Sequence, residues 1–403
     1  MSTFSRLLPL AVTVVSLVLP NLPPTAAELE PSYQELSLDG PSAADETKPF
    51  AMVGITWPVG TQAVQAKVRI QRDGQWSEWE PLTVEDEHSP DPLVGEGIER
   101  SGTEPLWVGN ANGVQASAIA NDGTSVADAK VVLIQPGVLA GDSFEPPDVQ
   151  ANASSTPYPM PAMASRKQWG ADERLRSHNG KACARPKYTQ TVLAAFVHHT
   201  ADRNDYTRTQ VAAMVRGMYA YHVKSRGWCD LGYNFLIDRF GRVFEGRYGG
   251  AQLPVLGAHT GSFNTNSLGI ALIGNFEKAA PTQAMLEKTA RVIAWKFDAY
   301  YRSPKSTVVL AGTKLLTISG HRDTKATDFA NRDIFYSVAT GPHSTVGMFR
   351  SQYRSLGAER SRLGLPTTEV YKMTGGSRQR YQHGWLNYNQ SRRTITVQYR
   401  SAT

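Results

Sequence analysis

Residues 192–200 read VLAAFVHHT, an unbroken apolar run that closes on two histidines, His198 and His199. A run of this length and composition is the pattern of a strand buried on both faces. LGIALIGNF (268–276) is a second such run, and VVLAG and LLTISGHRD come after it. Between them, YNFLID and RVFEG flank Arg239-Phe240-Gly241, which reads as a hairpin. From Thr209 to Lys224, the residues Val211, Met214, Val215, Met218 and His222 repeat at helical spacing. Another helix is expected from Pro281, with Met285, Leu286, Val292, Ile293 and Phe297 on its core face. Strands alternating with helices predict an α/β unit over residues 165–340: a central mixed β-sheet flanked by helices.

The sequence on either side has a different texture. FAMVGITWP (50–58), AKVRIQ (66–71) and AKVVLIQ (129–135) are short β-branched runs, and Asp73-Gly74, Asn112-Gly113 and Asp122-Gly123 are turn pairs. Residues 28–142 are therefore expected to form a β-sandwich domain. Residues 143–164, rich in Pro, Ser and Ala, read as a linker. Residues 341–403 carry aromatics and glycines without a long helical pattern, which suggests a small β-rich module. At the front, Arg6 precedes LLPLAVTVVSLVLP and Thr25-Ala26-Ala27, the layout of a signal peptide over residues 1–27, with a retained membrane anchor as the alternative. No later run is apolar for long enough to make a membrane helix. A secreted, cell-wall-associated protein is expected, with no transmembrane segment after signal removal.

Export places the two cysteines, Cys183 and Cys229, in an oxidising compartment. A single disulfide is expected, with two buried free thiols as the alternative; the lack of a CxxC pair excludes a cysteine-rich zinc finger. Net charge is −13 over residues 28–142, +10 over 143–340 and +8 over 341–403. A basic rear two-thirds suits an anionic polymer. Export makes that polymer a cell wall and excludes nucleic acid.

His198, His199 and His321 sit at strand ends or in the loops after them. Neutral imidazole is the commonest metal ligand, and a catalytic zinc takes about three protein ligands and one open position. Taken singly, a histidine at a strand end is more often structural.

The motifs together say more. FVHHTA (196–201), RGWCDLGYNFLID (226–238), GRVFEG (241–246), GAHTGSFNTNSLGIALIGNF (257–276) and SGHRD (319–323) occur in this order over about 170 residues. The chain thereby resembles the type 2 N-acetylmuramoyl-L-alanine amidases and peptidoglycan recognition proteins. The resemblance implies a zinc-bearing groove in which His198 and His321 are metal ligands and Tyr233 and Thr327 stand near the metal as catalytic residues. It places His222, Arg226, Trp228, Asn234 and His259 along a substrate groove for peptidoglycan. The implied reaction is zinc-assisted hydrolysis of the amide joining the muramoyl lactyl group to L-alanine of the stem peptide.

One position departs from that pattern. The family's third ligand is a cysteine eight residues after the second histidine, where this chain has Phe329. Asp328 is expected to complete the metal site, with Asp333 as the other carboxylate in reach. The alternative is a catalytically impaired protein that binds peptidoglycan in the same groove.

The tail, SLGAERSRLGLPTTEVYKMTGGSRQRYQHGWLNYNQSRRTITVQY, is similar to one copy of an LGFP repeat, with Leu363-Gly364-Leu365-Pro366 at the signature. This implies attachment to an envelope polymer such as arabinogalactan, which the local charge suits. GTEPLWVG and GQWSEWEPL at the front are similar to the front domains of large exported amidases. Trp76, Trp79 and Trp107 there are either sugar-stacking or, more simply, core residues.

Overall fold

The computed structural model describes residues 30–400 apart from 39–42, 45–46, 62, 85–87, 92–95, 121, 144, 146–157, 179–180, 278, 325–331, 338–340, 358–360, 364–365 and 369. The proposed signal peptide, most of the 143–164 linker and Thr327, Asp328 and Phe329 lie outside the described residues.

The central sheet has five strands in the order Val243–Glu245, Phe235–Ile237, Ser267–Leu272, Ala194–His199 and Ile318–Gly320. The hairpin 235–245 is antiparallel and the remaining pairings are parallel, so the sheet is mixed. Alternation along Ala194–His199 sends Ala195 and Val197 to one face. There they pack with Met285, Val292, Ile293 and Phe297 of helix α2 (Gln283–Ala299). Leu236, Ala271 and Ile273 face the other way and pack with Val211, Met214, Val215 and Met218 of helix α1 (Val211–Ala220). Helix α1 runs straight into a π-helical turn, Tyr221–Ser225. Cys183 and Cys229 are joined in a disulfide.

Residues 32–135 form two antiparallel five-stranded sheets closed over an apolar core that includes Phe50, Ile55, Trp57, Val68, Val114 and Leu133. Trp107 is buried, whereas Trp79 is 39% exposed, with Lys67 and Arg69 over its ring. This front unit is not a bead on a string. Met52, Trp107, Val132 and Ile134 belong to the same buried cluster as α1. Gly54 allows the close approach, since a Cβ there would collide with the Tyr221 ring. The Tyr221 hydroxyl donates to the Thr103 carbonyl at 2.8 Å. Buried Arg216 of α1 reaches Asp142 at 2.7 Å and donates to the carbonyls of Gly137 and Trp169.

In the tail, helix α3 (Gly347–Ser355) precedes a four-stranded antiparallel sheet over 371–399. No long helical pattern is present there, and α3 is short: nine residues whose Phe349 and Tyr353 pack on Leu363, Tyr381 and Leu386. Among the described residues no helix is long and apolar enough to cross a membrane.

Candidate metal centre

His198 and His321 are brought together by strand register. Ala194–His199 and Ile318–Gly320 run parallel, with Val197 opposite Gly320. The next residue on each is a histidine, so both imidazoles leave the same sheet edge side by side, at the carboxyl ends of neighbouring strands. Ligand sites in α/β sheets form at such ends. The ring centroids are 4.8 Å apart. His199, one residue on, points to the opposite face. Its Nδ1 accepts from the Phe276 backbone N–H at 3.1 Å, so it braces the fold.

A third histidine, His88, completes the cluster. Ligand atoms of His88, His198 and His321 all lie within 4.8 Å of one another. His88 Nε2 is 3.1 Å from His198 Nδ1, and its ring stacks on His321 with centroids 4.3 Å apart. The other ring nitrogen, Nδ1, faces the Glu104 carboxylate at 2.7 Å and the Tyr233 hydroxyl at 3.2 Å. All three rings are buried, with exposures of 4% for His88, 0% for His198 and 1% for His321. Burial holds the His198 and His321 imidazoles well below their usual pKa, and the neighbouring histidines depress them further, so both rings are neutral.

The cluster fits a divalent metal. Imidazoles are ordinary zinc donors, and tetrahedral Zn–N bonds of about 2.0–2.1 Å separate ligand nitrogens by roughly 3.4 Å. His321 Nδ1 is buried with no hydrogen-bond partner among the described residues, an arrangement costly for a polar atom that has nothing to bind.

The remaining predicted residues divide into groups. Tyr233 is 1% exposed and lies beside the cluster, its ring 5.5 Å from His198. His259 also borders it: its Nδ1 is 3.1 Å from His198 Nε2 and 2.6 Å from Thr260 Oγ1. Burial pushes its pKa down to about 3. Gly269 is needed beneath that ring, because a Cβ would collide with it. His222 stacks on Trp228 at 4.4 Å, and the Arg226 guanidinium lies 5.1 Å from the same indole. Asn234 serves the fold: its Oδ1 accepts from Gly269 N–H and its Nδ2 donates to the Val255 carbonyl, both at 2.8 Å, so both ends of the amide are committed to backbone. Asp333 lies in the strand Arg332–Ser337.

Residues from the front unit pack against Arg226, Cys229, Arg247 and the 261–264 turn. Arg226 Nε donates to the Arg100 carbonyl at 3.0 Å. Glu96 accepts from the Cys229 N–H at 2.9 Å and pairs with Arg247. The Ser89 carbonyl accepts from Gly261 N–H at 3.1 Å and Asn264 Nδ2 at 2.8 Å. Sequence reasoning did not find His88. The available signal was that it is the lone histidine of residues 28–142, set in the acidic run EDEHSPD.

A family model described as N-acetylmuramoyl-L-alanine amidase matches residues 188–332. Another, described as Rv3811 N-terminal galactose-binding domain-like, matches residues 20–154. A human N-acetylmuramoyl-L-alanine amidase is 33% identical over 213 residues, covering 51% of this chain and 32% of the relative, so the chain spans about a third of that protein's length. Peptidoglycan recognition protein 1 of Bos taurus is 30% identical over 188 residues, covering 45% of this chain and 85% of the relative. Among solved structures, peptidoglycan recognition protein LE in complex with tracheal cytotoxin is 28% identical, covering 41% of this chain and 85% of that one, with a TM-score of 0.34.

Proposed function

Because the chain belongs to the family of N-acetylmuramoyl-L-alanine amidases and peptidoglycan recognition proteins, we propose that it is an exported, wall-associated peptidoglycan hydrolase. The bond cleaved is the amide between the muramoyl lactyl group and L-alanine of the stem peptide. The observation that carries this reading is the pairing of His198 and His321 at adjacent strand ends, with His321 Nδ1 buried and without a partner among the described residues. These two residues would hold a zinc ion, which when bound supplies a Lewis acid and an activated water near neutral pH.

The chain's own residues supply the rest. Burial keeps the imidazoles neutral, the state that binds metal. The Tyr233 hydroxyl is assigned to donate to an oxyanion forming at the scissile carbonyl. Thr327 is assigned the same role and Asp328 that of a further ligand; both lie outside the described residues. Arg226 and Trp228, both buried, are assigned as the cation and the apolar face toward a stem peptide. The tail, with its LGFP-like signature, is assigned to retention on an anionic wall polymer such as arabinogalactan, with its +8 charge as the support.

The second reading is a non-catalytic peptidoglycan binder, favoured by Phe329 in place of the usual cysteine. Zinc analysis of the purified mature chain, paired with stem-peptide release from purified wall, separates the two. Hydrolysis requires near-stoichiometric zinc and free stem peptide, with both lost in His198→Ala and His321→Ala. Wall binding without metal or release would falsify the hydrolase reading.

A further inference from the structure

The geometry points to His88, carried by the front β-unit, as the third protein ligand of the metal site that otherwise belongs to the central sheet. The inference rests on the zinc reading above and deepens it: the ligand missing at Phe329 is supplied, in place of Asp328, from about 240 residues earlier in the chain, across the contact between the two units.

Three observations converge. First, His88 is the residue that joins His198 and His321 in a three-nitrogen group, and its Nε2 is the atom aimed at His198. Two ring nitrogens 3.1 Å apart need either a shared proton or a metal cation between them, and the buried His321 Nδ1, without a partner among the described residues, favours the metal. Second, the opposite nitrogen of His88 faces Glu104 at 2.7 Å. Metal-bound histidines commonly give their second N–H to a carboxylate, which fixes the tautomer and strengthens the ligating nitrogen. Glu104 is itself held: its N–H donates to the Thr83 carbonyl, and the carbonyl of Thr103 next to it accepts from Tyr221. Third, the segment that follows His88 is anchored. Ser89 is tied to Gly261 and Asn264, and Glu96 to Cys229 and Arg247. An acidic front unit on a basic central one, −13 against +10, adds a long-range attraction that seats the segment.

The test uses the full mature chain and zinc itself as the probe, with equilibrium dialysis giving the affinity. His88→Ala is expected to weaken zinc binding more than 100-fold, and Glu104→Gln, acting through His88 as a positioning residue, by about 10- to 100-fold. A merely structural histidine would not change the metal's own spectrum, so cobalt-loaded His88→Cys is the sharper probe. A thiolate-to-cobalt charge-transfer band in that variant supports direct ligation. Folded His88→Cys that binds cobalt without such a band overturns the inference, and this arm stands even where His88→Ala fails to fold. Wild-type zinc affinity in folded His88→Ala also overturns it. If that same variant releases more stem peptide than wild type, His88 is a plug and not a ligand. Those results leave the hydrolase reading intact, whereas absence of zinc from the wild-type chain removes both.

Discussion

Asp202 illustrates how much one buried carboxylate ties together. Its Oδ1 accepts from the Trp107 N–H of the front unit at 2.8 Å and from the Arg203 N–H at 2.8 Å, while Oδ2 is buried without a partner among the described residues. Burial outweighs the two backbone donors and raises its pKa from 3.8 to about 7. A folded-state pKa above the unfolded one means that the native chain holds this proton more tightly. The stabilisation is complete below about pH 4 and is lost as pH rises through 7, by at most about 1.4 kcal/mol per pH unit. Asp202→Asn keeps the acceptor and removes the charge. Melting temperatures of variant and wild type should converge near pH 4 and separate toward pH 8, with the variant higher; a constant difference across that range would count against the assignment.

At the scale of elements, α2 shows how a cap and a loop share one side chain. Thr282 has extended backbone, and its Oγ1 accepts from Met285 N–H at 3.2 Å while donating to the Arg239 carbonyl at 2.7 Å. It starts the helix and fixes it to the hairpin turn. Near the other end, buried Lys296 donates to the carbonyls of Ala251, Gln252 and Leu253. Thr282→Ala is expected to cost about 1 kcal/mol in denaturant unfolding. Zinc content should not change, because α2 packs on the face of the sheet away from His198. Loss of metal in that variant would show that the sheet edge is coupled to the helix start.

The whole molecule is organised by the contact between the front β-unit and the α/β unit. A shared apolar cluster, the Tyr221–Thr103 hydrogen bond and the Arg216–Asp142 pair cross it. Both Arg216 and Asp142 are buried, so removing one leaves the other as an uncompensated charge. Arg216→Ala is expected to cost about 3–5 kcal/mol. Calorimetry of the wild-type chain should show residues 30–320 melting in one transition, which splits in two in the variant; two transitions in the wild type would mean that the contact is too weak to couple the units.

The sequence alone determined the α/β class, the apolar strands of the central sheet and both main helices, and its motifs marked His198 and His321 as candidate ligands. Each of these is written in local periodicity or in a motif whose parts are close along the chain. The apolar face of α2, for example, is spelled out by Met285, Leu286, Val292, Ile293 and Phe297, and all five are buried. Tertiary structure alone decided which histidine pairs with which. Strand register set His198 against His321 and turned His199 to the far face, and Asn234 went to backbone bracing. His88 was not legible at all as a partner, because no periodicity or spacing links a loop of the acidic front unit to strand ends more than a hundred residues later. Contacts of that span are fixed only when two cores merge, and here the merging of the front sheet with α1 carries an imidazole into a pocket that local sequence had left one ligand short.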